Sequence, residues 1–572
     1  METARASEMS DPSRLLSEEI DPSLQTYDLF DCFERWVKEK PNQVAMRFVS
    51  DTELNFEAFT FPELYKMTQA AAAVYRQAGL KKGDRVLIEL PTCPGFVAAL
   101  MGAFYIGLIP AVIAPPEMRD SRTGQLEWQH HVDQVKPHVM VSVNAPLVGD
   151  LLHFTAEQLM AGDASAAGER TRNEDQAYIQ FSSGSTGAPK ALLLSMEAIV
   201  FNMDMLARRI PVLPFHRHHS WLPLYHDMGL FGNFLLVFYI GHEMTLADPT
   251  LFARSPIIWF RLVSEFNVTG TVGPPSAVAG ALSMLERRKQ EGLDLSSLNS
   301  WLVGAEQVTP HLIRRFLHIT EPYNARSDVL KPVYGMAEIT LAATIQRQFR
   351  VPIWDRVQRE TFELKGLAVA AEADAPDQEC LEWTACGSPL DGQKMRIADD
   401  GGNDLPDRHV GRILLNSPSL YSGFLCGDEF EPRTDPWHDT GDLGYVANGD
   451  TYITGRSREV IIKNGRNYAP ERLEDLASTV EGVGRGAAFG VFDPARETEM
   501  VVLYVEVHNR YMREAADRDK VRMAVRTALT DAGFAVDQIE LRPRRFLART
   551  TSGKIRRSYI RKQHIAELDS AK

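Results

Sequence analysis

Apolar residues recur along the first part of the chain with two alternating spacings, one typical of helices and one typical of strands. The letters TFPE at residues 60–63 predict a capping box that begins a helix ending near Ala78. Residues 84–90 (DRVLIEL) predict a strand, and residues 94–100 (PGFVAAL) predict a helix that leads into an apolar run ending at Pro116. This alternation is typical of a largely parallel sheet with helices on both faces. The expected fold class is therefore α/β.

The patterning changes near both ends of the chain and suggests a division into domains. Residues 1–25 are polar and charged, and we expect them to form a flexible tail. A large N-terminal domain with mixed sheets flanked by helices is expected at residues 26–455. Short strand patterns at residues 451–454 and 460–463 lead into a small, mobile α/β domain at residues 456–572, whose last segment is rich in arginine.

The composition is that of a folded, soluble protein. Hydrophobic residues make up 44% of the 572 residues and charged residues 24%. A formal net charge of -14 argues against a general nucleic-acid binder, since phosphate neutralisation needs a concentrated basic face. The longest apolar stretches, at residues 101–116 and 231–241, are shorter than the ~20 residues of a membrane span. Five scattered cysteines and a polar N-terminus without a signal-peptide pattern favour a reducing, cytoplasmic location.

The segment after a predicted strand at residues 178–181 concentrates hydroxyl groups and glycines. It reads FSSGSTGAPK from Phe181 to Lys190. Backbone N–H groups and Ser and Thr hydroxyls can close around phosphate oxygens there, while the Lys190 ammonium supplies positive charge. The segment is not a Walker loop, because that loop needs Gly-Lys followed by Ser or Thr, and here Pro189 precedes the lysine. A flexible turn is the alternative, but the ending TGAPK favours a phosphate-binding loop.

This loop resembles the ATP-phosphate signature of the adenylate-forming superfamily, which contains acyl-CoA synthetases, luciferases, peptide-synthetase adenylation domains and fatty acyl-AMP ligases. Further motifs follow in that family's order, and together they span roughly residues 180–555. They are SWLPLYHDMG at 220–229, GAE at 304–306, YGMAE at 334–338, DTGD at 439–442, GR at 455–456 and TSGK at 551–554. The resemblance implies an AMP-forming ligase that uses ATP and Mg2+.

The resemblance also implies a role for each motif residue. A catalytic role is implied for Lys554, which would touch carboxylate and phosphate, for His226 beside the acyl pocket, and for Lys190. Magnesium binding is implied for Glu338 and Thr186. Adenine contacts are implied at residues 304–306 and Tyr334, and ribose contacts at Asp442 and Arg456. The full set of implied ATP or AMP contacts is Ser182, Ser183, Gly184, Ser185, Thr186, Gly187, Gly304, Ala305, Glu306, Tyr334, Gly335, Met336, Asp442 and Arg456.

These residue types suit the attack of a carboxylate on the α-phosphate of ATP. The reaction builds negative charge on phosphate oxygens and on the departing pyrophosphate, and it needs positioning and cations but no protein nucleophile. Plainer interpretations exist: Glu338 as a solvated helix acid, Asp442 as a turn residue and His226 as a core histidine. A carboxylate is nevertheless the natural acceptor for two ribose hydroxyls. The surrounding motifs favour the functional interpretation of all three residues.

Within the superfamily, the chain resembles the fatty acyl-AMP ligases at three places. These are LYHDMGL at residues 224–230, NGRNYAP at residues 464–470 where CoA ligases have Gly-Gly-Glu-Asn, and an insertion at about residues 339–386 that is long for a simple connection. The resemblance implies that this insertion restricts the domain rotation that CoA requires. It also implies transfer of the acyl group, from a fatty or other carboxylic acid, to the phosphopantetheine of a holo acyl carrier protein. A surface loop without function is the alternative interpretation of the insertion.

The resemblance is looser at three positions, and other functions stay open. Ala191 replaces a usual Gly, Arg412 a usual Glu, and Arg458 the usual hinge residue between the domains. An acyl-CoA or aryl-CoA synthetase would differ only in its thiol acceptor. In an amino-acid adenylation enzyme, Asp227 would pair with an α-ammonium group. A non-catalytic nucleotide-binding or scaffold protein would be expected to lose residues such as Lys554, which is present.

Overall fold

A computed structural model of the chain describes most of its length. The described residues are 28–119, 124–144, 151–182, 189–210, 216–494, 496–550 and 553–570. The predicted tail at residues 1–25 lies outside these ranges, as does most of the predicted phosphate loop.

Strands and helices alternate in the first described part of the chain. The strands are β1 (Val44–Val49), β2 (Phe56–Thr60), β3 (Arg85–Glu89), β4 (Ile109–Val112), β5 (Val139–Ser142), β6 (Leu152–Phe154), β7 (Tyr178–Phe181) and β8 (Ala191–Leu194). The helices are α1 (Leu29–Glu39), α2 (Phe61–Gln77), α3 (Pro94–Tyr105), α4 (Gly124–Val135), α5 (Ala156–Met160) and α6 (Met196–Arg209), with short 3-10 turns at Pro116–Met118 and Ala164–Ala166. The predicted capping box is present at the start of α2, where the Thr60 N–H donates to the Glu63 carboxylate at 2.7 Å.

The next part of the chain continues the same alternation. Its strands are β9 (Arg217–Ser220), β10 (Glu243–Ala247), β11 (Gly270–Gly273), β12 (Ser300–Val303), β13 (Leu330–Gly335) and β14 (Ala342–Ile345). Its helices are α7 (Asp227–Gly229), α8 (Leu236–Ile240), α9 (Pro249–Arg254), α10 (Ile258–Glu265), α11 (Pro275–Arg287) and α12 (Pro310–Thr320). A π-helix (Leu230–Leu235) joins α7 to α8, and 3-10 turns occupy Glu321–Tyr323 and Ala337–Ile339.

The remaining part is richer in short antiparallel strands. It contains β15 (Trp354–Gln358), α13 (Arg359–Lys365), a 3-10 turn (Asp377–Glu379), β16 (Cys380–Thr384), β17 (Ser388–Pro389), β18 (Lys394–Ala398), β19 (Gly411–Asn416), β20 (Gly423–Cys426), β21 (Glu429–Pro432), β22 (His438–Ala447) and β23 (Asp450–Arg456). The C-terminal elements are β24 (Ile461–Lys463), β25 (Arg466–Tyr468), α14 (Pro470–Ser478), β26 (Val483–Asp493), β27 (Thr498–Val507), α15 (Asn509–Met512), α16 (Ala515–Asp531), β28 (Gln538–Pro543) and α17 (Arg557–Ser570). We call the part that holds β24 to α17 the small domain.

Two large sheets organise the described residues before the small domain. One has the strand order β17-β14-β13-β12-β11-β9-β10-β1-β2, and the other has the order β21-β20-β8-β7-β4-β3-β5-β6. The remaining strands of both sheets are parallel, whereas β2, β14, β17, β8, β20 and β21 pair antiparallel toward the edges. Helices α2 and α3 contribute to an apolar core that also includes α1 and α8, where the Phe33 and Phe238 rings lie 4.6 Å apart. The predicted α/β class is confirmed.

The predicted insertion at residues 339–386 contains two different structures. Its first strand, β14, pairs with β13 and belongs to the large sheet. Residues 354–384 form a separate hairpin, β15 paired with β16, that carries α13 between its strands. We call this hairpin with its helix the inserted unit. Its buried side chains share one apolar core with residues of β22, β23 and the small domain, a set that includes Val357, Leu381, Trp383, Tyr445, Tyr452, Tyr468 and Phe534.

Other expectations about the chain also agree with the described structure. The apolar stretches at residues 101–116 and 231–241 lie mostly in the buried core, and none of the helices described combines the length and apolar character needed to cross a membrane. All five cysteines fall within the described ranges and are free thiols. The three-stranded sheet β26-β27-β28 lies at the centre of the small domain.

Candidate active site

Several predicted nucleotide-binding residues lie where parallel strands of the two large sheets end. Ser182 follows β7 and Gly304 follows β12. Tyr334 and Gly335 are the last residues of β13, and Met336 comes next. In α/β proteins, ligands bind in the crevice beyond the carboxyl ends of such strands. Motifs that are far apart in sequence therefore all lie at the carboxyl ends of strands, where ligands bind in this class of fold.

Ser182 and Lys190 hold the two ends of the predicted phosphate loop together. The Ser182 N–H donates to the Lys190 carbonyl at 3.0 Å, and the Lys190 N–H donates to Ser182 Oγ at 3.1 Å. The Lys190 ammonium lies 4.6 Å from the centre of the Phe424 ring. Because both ends are fixed, the exposed Lys190 stays beside the loop. Residues 183–188 lie outside the described residues, and they include the predicted contacts Ser183, Gly184, Ser185, Thr186 and Gly187.

Asp442 is the centre of a buried polar group formed with Tyr334 and Arg456. Tyr334 Oη donates to Asp442 Oδ2 at 2.7 Å, and Arg456 Nε lies 3.2 Å from Asp442 Oδ1. Burial raises the pKa of the Asp442 carboxyl, while Arg456, the Tyr334 hydrogen bond and the Lys554 charge act in the opposite direction. Burial and the Asp442 charge together hold the pKa of Tyr334 well above its usual value. The arrangement brings both predicted ribose contacts beside the predicted adenine contact.

The turn at Gly304, Ala305 and Glu306 is held against its neighbours. A Cβ added to Gly304 would lie 2.6 Å from the Val333 side chain, so the close approach of β13 requires glycine. Ala305 has a φ of 67°, in the left-handed region. The Glu306 carboxylate accepts from the N–H and the hydroxyl of Ser276, each at 3.0 Å, in the first turn of α11. The Glu306 side chain therefore holds the turn against the first turn of α11. The motif itself did not predict this contact.

The turn that carries Glu338 is strained and tightly bound. Thr340 has a φ of 67° and is fully buried, and a β-branched residue adopts that conformation only when the surroundings enforce it. Thr340 Oγ1 donates to the Ser419 carbonyl at 2.8 Å. The Asn202 side chain donates to the Ala342 carbonyl at 3.0 Å and accepts from the Ala342 N–H at 3.1 Å. These contacts fix the backbone on which Glu338 is presented.

Glu338 is close enough to Asp227 and Asp442 to influence the ionisation of both. Burial raises the pKa of Asp227, the Lys554 charge opposes this, and the Glu338 charge adds to it. Glu338 likewise raises the pKa of Asp442. Oxygen ligands with negative charge are those that Mg2+ prefers. The carboxylates therefore fit a hard dication at Glu338, whereas the other predicted ligand, Thr186, lies outside the described residues.

His226 precedes α7 and is held by the backbone on both sides. Its N–H donates to the Pro223 carbonyl at 3.2 Å, and its carbonyl accepts from the Leu230 N–H at 2.8 Å. The π-helix that follows is a geometry that occurs frequently at functional sites. The Phe231 ring of that helix lies 5.4 Å from Tyr178 of β7. The acyl-pocket motif is therefore packed directly against the strand that leads into the phosphate loop.

Lys554 comes from the small domain and lies close enough to two aspartates of the predicted site for its charge to act on them. Its charge lowers the pKa of both Asp227 and Asp442, against the effect of their burial. The Lys554 N–H donates to Thr550 Oγ1 at 3.2 Å. Nearby, Arg556 Nη1 lies 2.9 Å from Glu127 Oε1 of α4. The ion pair of Arg556 therefore holds the segment of the small domain that carries Lys554 against α4.

Some residues of the site were not assigned a role by the motifs. The sequence offers Asp227 only as a partner for an amino group, whereas in the structure the Lys554 charge lowers its pKa. Asn202, Ser276 and Glu127 support the site from helices that carry no recognisable motif. A motif search could have singled out Asp227 as an acid within SWLPLYHDMG, but no local pattern marks the other three.

The chain matches one protein family over most of its length. A family model described as AMP-binding enzyme matches residues 33–425. The long-chain-fatty-acid--AMP ligase FadD23 of Mycobacterium tuberculosis is 26% identical over 561 residues, which cover 91% of this chain and 93% of that protein. The medium-chain-fatty-acid--[acyl-carrier-protein] ligase JamA of Moorena producens is 27% identical over 558 residues, covering 90% of this chain and 91% of that protein.

A solved structure agrees with these relatives. It comes from structural and functional studies of fatty acyl-adenylate ligases from E. coli and L. pneumophila, and its TM-score against this chain is 0.84 at 26% sequence identity. The similarity covers 96% of this chain and 99% of that one. The likeness therefore includes the C-terminal part as well as the two large sheets.

Proposed function

Because the chain belongs to the AMP-binding enzyme family and is an AMP-forming ligase, we propose that it activates a fatty acid as acyl-AMP and passes the acyl group to the phosphopantetheine thiol of an acyl carrier protein. Two observations carry the first half of this proposal. Arg556 pairs with Glu127 of α4 at 2.9 Å, which holds the Lys554 segment against the large sheets, and the Lys554 charge lowers the pKa of both Asp227 and Asp442. The Lys554 ammonium would act between the acyl pocket and the ribose clamp, where the carboxylate and the α-phosphate would meet.

In the first step, an oxygen of the fatty carboxylate attacks the α-phosphorus of ATP. The new O–P bond forms as the bond from the α-phosphorus to the bridging oxygen of the β-phosphate breaks, and pyrophosphate leaves with the electron pair. Lys554 would stabilise the charge that develops around the α-phosphate, and Lys190 would stabilise the departing phosphates. Glu338 and Thr186 would hold a magnesium ion, which neutralises triphosphate charge when bound.

The nucleotide would be oriented by the buried group around Asp442. The Asp442 carboxylate would accept from the ribose hydroxyls, with Arg456 as a second ribose contact and Tyr334 beside the adenine. The Tyr334 hydroxyl fixes one carboxylate oxygen at 2.7 Å before any ligand binds. Such preorganisation lowers the reorganisation needed when ATP arrives. Contacts with the phosphates are proposed for the hydroxyls and N–H groups of residues 182–187.

An amino acid is a poorer fit than a fatty acid at the acyl site. An amino-acid substrate would need a carboxylate free to pair with its α-ammonium group, and Asp227 is the candidate. Burial raises the pKa of Asp227, which disfavours its charged form, and the charge that opposes this effect comes from Lys554. A second cation next to Asp227 would compete with Lys554. We therefore propose a substrate without an α-amino group.

The choice of acceptor rests on contacts between the inserted unit and the small domain. Arg466, in the motif NGRNYAP, lies 3.2 Å from Glu363 of α13. Arg359 of α13 donates to the Ala532 carbonyl and lies 4.2 Å from the centre of the Phe534 ring. Two of the three features that resemble acyl-AMP ligases thus touch each other. Rotation of the small domain, which thiol transfer requires in this family, would break these contacts.

A carrier protein can compensate for the lost contacts better than free CoA can. A ligand shifts a conformational equilibrium only by its differential affinity for the two states, and a protein partner has a larger surface with which to supply that difference. In the second step the carrier thiol, as its thiolate, attacks the acyl carbonyl. The thioester forms as the bond between the acyl carbon and the phosphate oxygen breaks, and AMP leaves.

The proposal is tested by measuring the two half-reactions separately. Pyrophosphate release with ATP should be stimulated by fatty acids more than by amino acids or aryl acids in a panel of carboxylates. Side-by-side thioester assays should then show loading of a holo acyl carrier protein and little acyl-CoA. Efficient acyl-CoA synthesis by the intact chain would instead establish an acyl-CoA synthetase, and release stimulated chiefly by amino acids would contradict the substrate assignment.

A further inference from the structure

Three histidines converge at the amino ends of β9 and β10, at the edge of the sheet away from the predicted nucleotide site. One ring nitrogen each from His216, His218 and His242 can be chosen so that all three lie within 4.8 Å of one another. His218 Nε2 and His242 Nδ1 are 3.1 Å apart, and their rings are nearly parallel, with an interplanar angle of 20°. The His216 ring centre lies 5.7 Å from that of His242.

The convergence follows from strand pairing. β9 and β10 are parallel neighbours in which Arg217 pairs with Glu243, so the residue before each strand lies at the same edge. Alternation along an extended chain places His216 and His218 on one face and His219 on the other, where His219 Nδ1 contacts the Thr245 carbonyl at 2.9 Å. Three of the four histidines in this region therefore face one another.

The backbone before His242 is fixed by a glycine. Gly241 has a φ of 70° and ends α8, and a Cβ at this position would lie 2.4 Å from the Trp36 ring. The Trp36 indole N–H donates to the Tyr239 carbonyl at 3.2 Å, which fixes the ring itself. Lys40 donates to the Gly241 carbonyl at 2.6 Å. The short connection between α8 and β10 therefore holds the backbone of His242 in a fixed position.

The three imidazoles are held in the neutral form. Burial lowers the pKa of His216 to about 4 and, with the neighbouring His216, that of His218 to about 3. Burial, the two other histidines and the Lys40 charge hold the pKa of His242 well below its usual value. Neutral imidazole is the form that binds metal ions. The positive charge of Lys40 disfavours a divalent metal ion at this place, as it disfavours a protonated histidine. The metal ion, however, gains coordination bonds to the imidazole nitrogens, and these offset the repulsion.

We propose that His216, His218 and His242 bind a divalent transition-metal ion of the zinc class, with water as a fourth ligand. Zinc takes imidazole nitrogens at about 2.0–2.1 Å in a tetrahedron, which places neighbouring nitrogens about 3.3 Å apart. The nitrogen atoms of His218 and His242 already lie near that separation, at 3.1 Å. The nitrogen of the third ring lies within 4.8 Å of the other two, so metal binding would draw it closer. Neutral nitrogen ligands favour zinc over magnesium, which prefers oxygen.

The histidine cluster is supported by Asn299 and is connected by β9 to the acyl-pocket motif. The Asn299 amide nitrogen lies 3.4 Å from His216 Nε2, so Asn299 can orient that ring as outer-shell partners orient metal ligands. Strand β9 runs from this cluster to Ser220, where the acyl-pocket motif begins. A metal ion that joins the starts of β9 and β10 would fix the strand that leads into that motif. The alternative is a metal-free network of hydrogen-bonded core histidines.

The test uses the untagged full chain, stripped with EDTA, without ATP and with Mg2+ in excess so that oxygen sites are occupied. After incubation with Zn2+ and gel filtration, elemental analysis should find about one zinc per chain, and Zn2+ should raise the melting temperature. His218→Gln and His242→Asn each keep a polar atom near the ring nitrogen that forms the present contact but remove the imidazole. Both should lose the retained zinc. Asn299→Ala should weaken zinc binding about tenfold.

His318→Gln removes an exposed histidine in the last turn of α12 and serves as the matched control. It should retain zinc like the wild type. Melting temperatures in EDTA separate loss of metal from loss of fold, since the ligand variants should match the wild type there more closely than in Zn2+. A wild-type chain that retains no zinc would overturn the proposal. So would ligand variants that retain as much zinc as the wild type, because the ion would then be bound elsewhere.

Discussion

Arg466 Nη1 lies 3.2 Å from Glu363 Oε2, and this ion pair joins the small domain to the inserted unit. The Glu363 side chain is only 3% exposed and is also paired with Arg359 at 3.2 Å, whereas the Arg466 side chain is 40% exposed. Without the Arg466 side chain, the buried Glu363 carboxylate is still paired with Arg359. Without the Glu363 side chain, the buried Arg359 would lose its carboxylate partner. Arg466 is the better residue with which to probe the contact between the two parts.

We predict that Arg466→Gln increases acyl-CoA formation and leaves pyrophosphate release unchanged. Loss of the ion pair should weaken the present domain arrangement by about 1 kcal/mol, which corresponds to about a fivefold shift in population. The measurement is a thioester assay with CoA in parallel with a pyrophosphate assay. Arg510→Gln is a suitable control, because its ion pair with Glu481 lies on an exposed surface of the small domain. Equal acyl-CoA yields from both variants would argue against a restraining role.

Lys554→Ala should slow adenylation strongly. Loss of a charge donor that acts in the transition state typically costs a factor on the order of 10² or more. Transfer from a preformed acyl-adenylate to the thiol should continue, because that step does not form negative charge at the same place. Lys562→Ala, on the exposed face of α17, controls for a general loss of positive charge. Pyrophosphate release at the wild-type rate would exclude the proposed role of Lys554.

Asp442→Ala should weaken ATP binding by about 1–3 kcal/mol, since the ribose hydroxyls would lose their acceptor. Calorimetric titration with ATP measures this directly. Tyr334→Phe is the informative comparison, because it removes the 2.7 Å hydrogen bond but keeps the carboxylate. Its loss of affinity should be smaller. Wild-type affinity in Asp442→Ala would contradict the ribose clamp, whatever the behaviour of the tyrosine variant.

The folded state should lose stability as the pH falls below about 6.5, the value of an unfolded histidine. Burial lowers the folded pKa of several described histidines, and it does so most strongly for five of them, so the unfolded state binds protons that the folded state does not. The five are His131, His216, His218, His219 and His242. Each contributes stability that is present above that pH and is lost at about 1.4 kcal/mol per pH unit below it, until its folded pKa is reached.

His131 offers a way to test one of these contributions. Its ring lies 4.1 Å from Phe181, and burial lowers its pKa to about 3. Melting temperatures at about pH 7.5 and about pH 5.5 should differ less for His131→Gln than for the wild type, because the variant has no imidazole to protonate on unfolding. A wild-type melting temperature that is independent of pH in this range would be incompatible with neutral buried histidines.

Local elements and motif positions could be predicted from the sequence because their causes are local. The capping box at Thr60 and Glu63 depends on residues three apart, and β7 is predicted by four successive residues. Ser182 follows β7 of one sheet, and Gly304 and Tyr334 lie at the ends of neighbouring strands of the other. That all three contact one nucleotide stays a prediction. The domain boundary near residue 456 stays a prediction.

Contacts between distant parts of the chain could not be predicted in this way. Arg466 and Glu363 are 103 positions apart, and nothing local to either residue indicates the other. The predicted insertion included β14, because apolar residues of a sheet strand and of an added hairpin look alike in sequence. The support of the Glu338 turn by Asn202 likewise depends on how α6 packs. Such contacts are set by tertiary packing, which one sequence does not specify position by position.

Two ion pairs at separate places, Arg556 with Glu127 and Arg466 with Glu363, add to the apolar contacts that hold the small domain. While one pair is intact, it keeps the members of the other at a high effective concentration, as in a bivalent complex. Breaking either pair alone then leaves rapid re-formation possible, so release of the domain requires both to open within the same interval. The two ion pairs therefore act as a bivalent contact within one chain. A double variant should shift the equilibrium towards the rotated domain by more than the sum of the shifts in the two single variants.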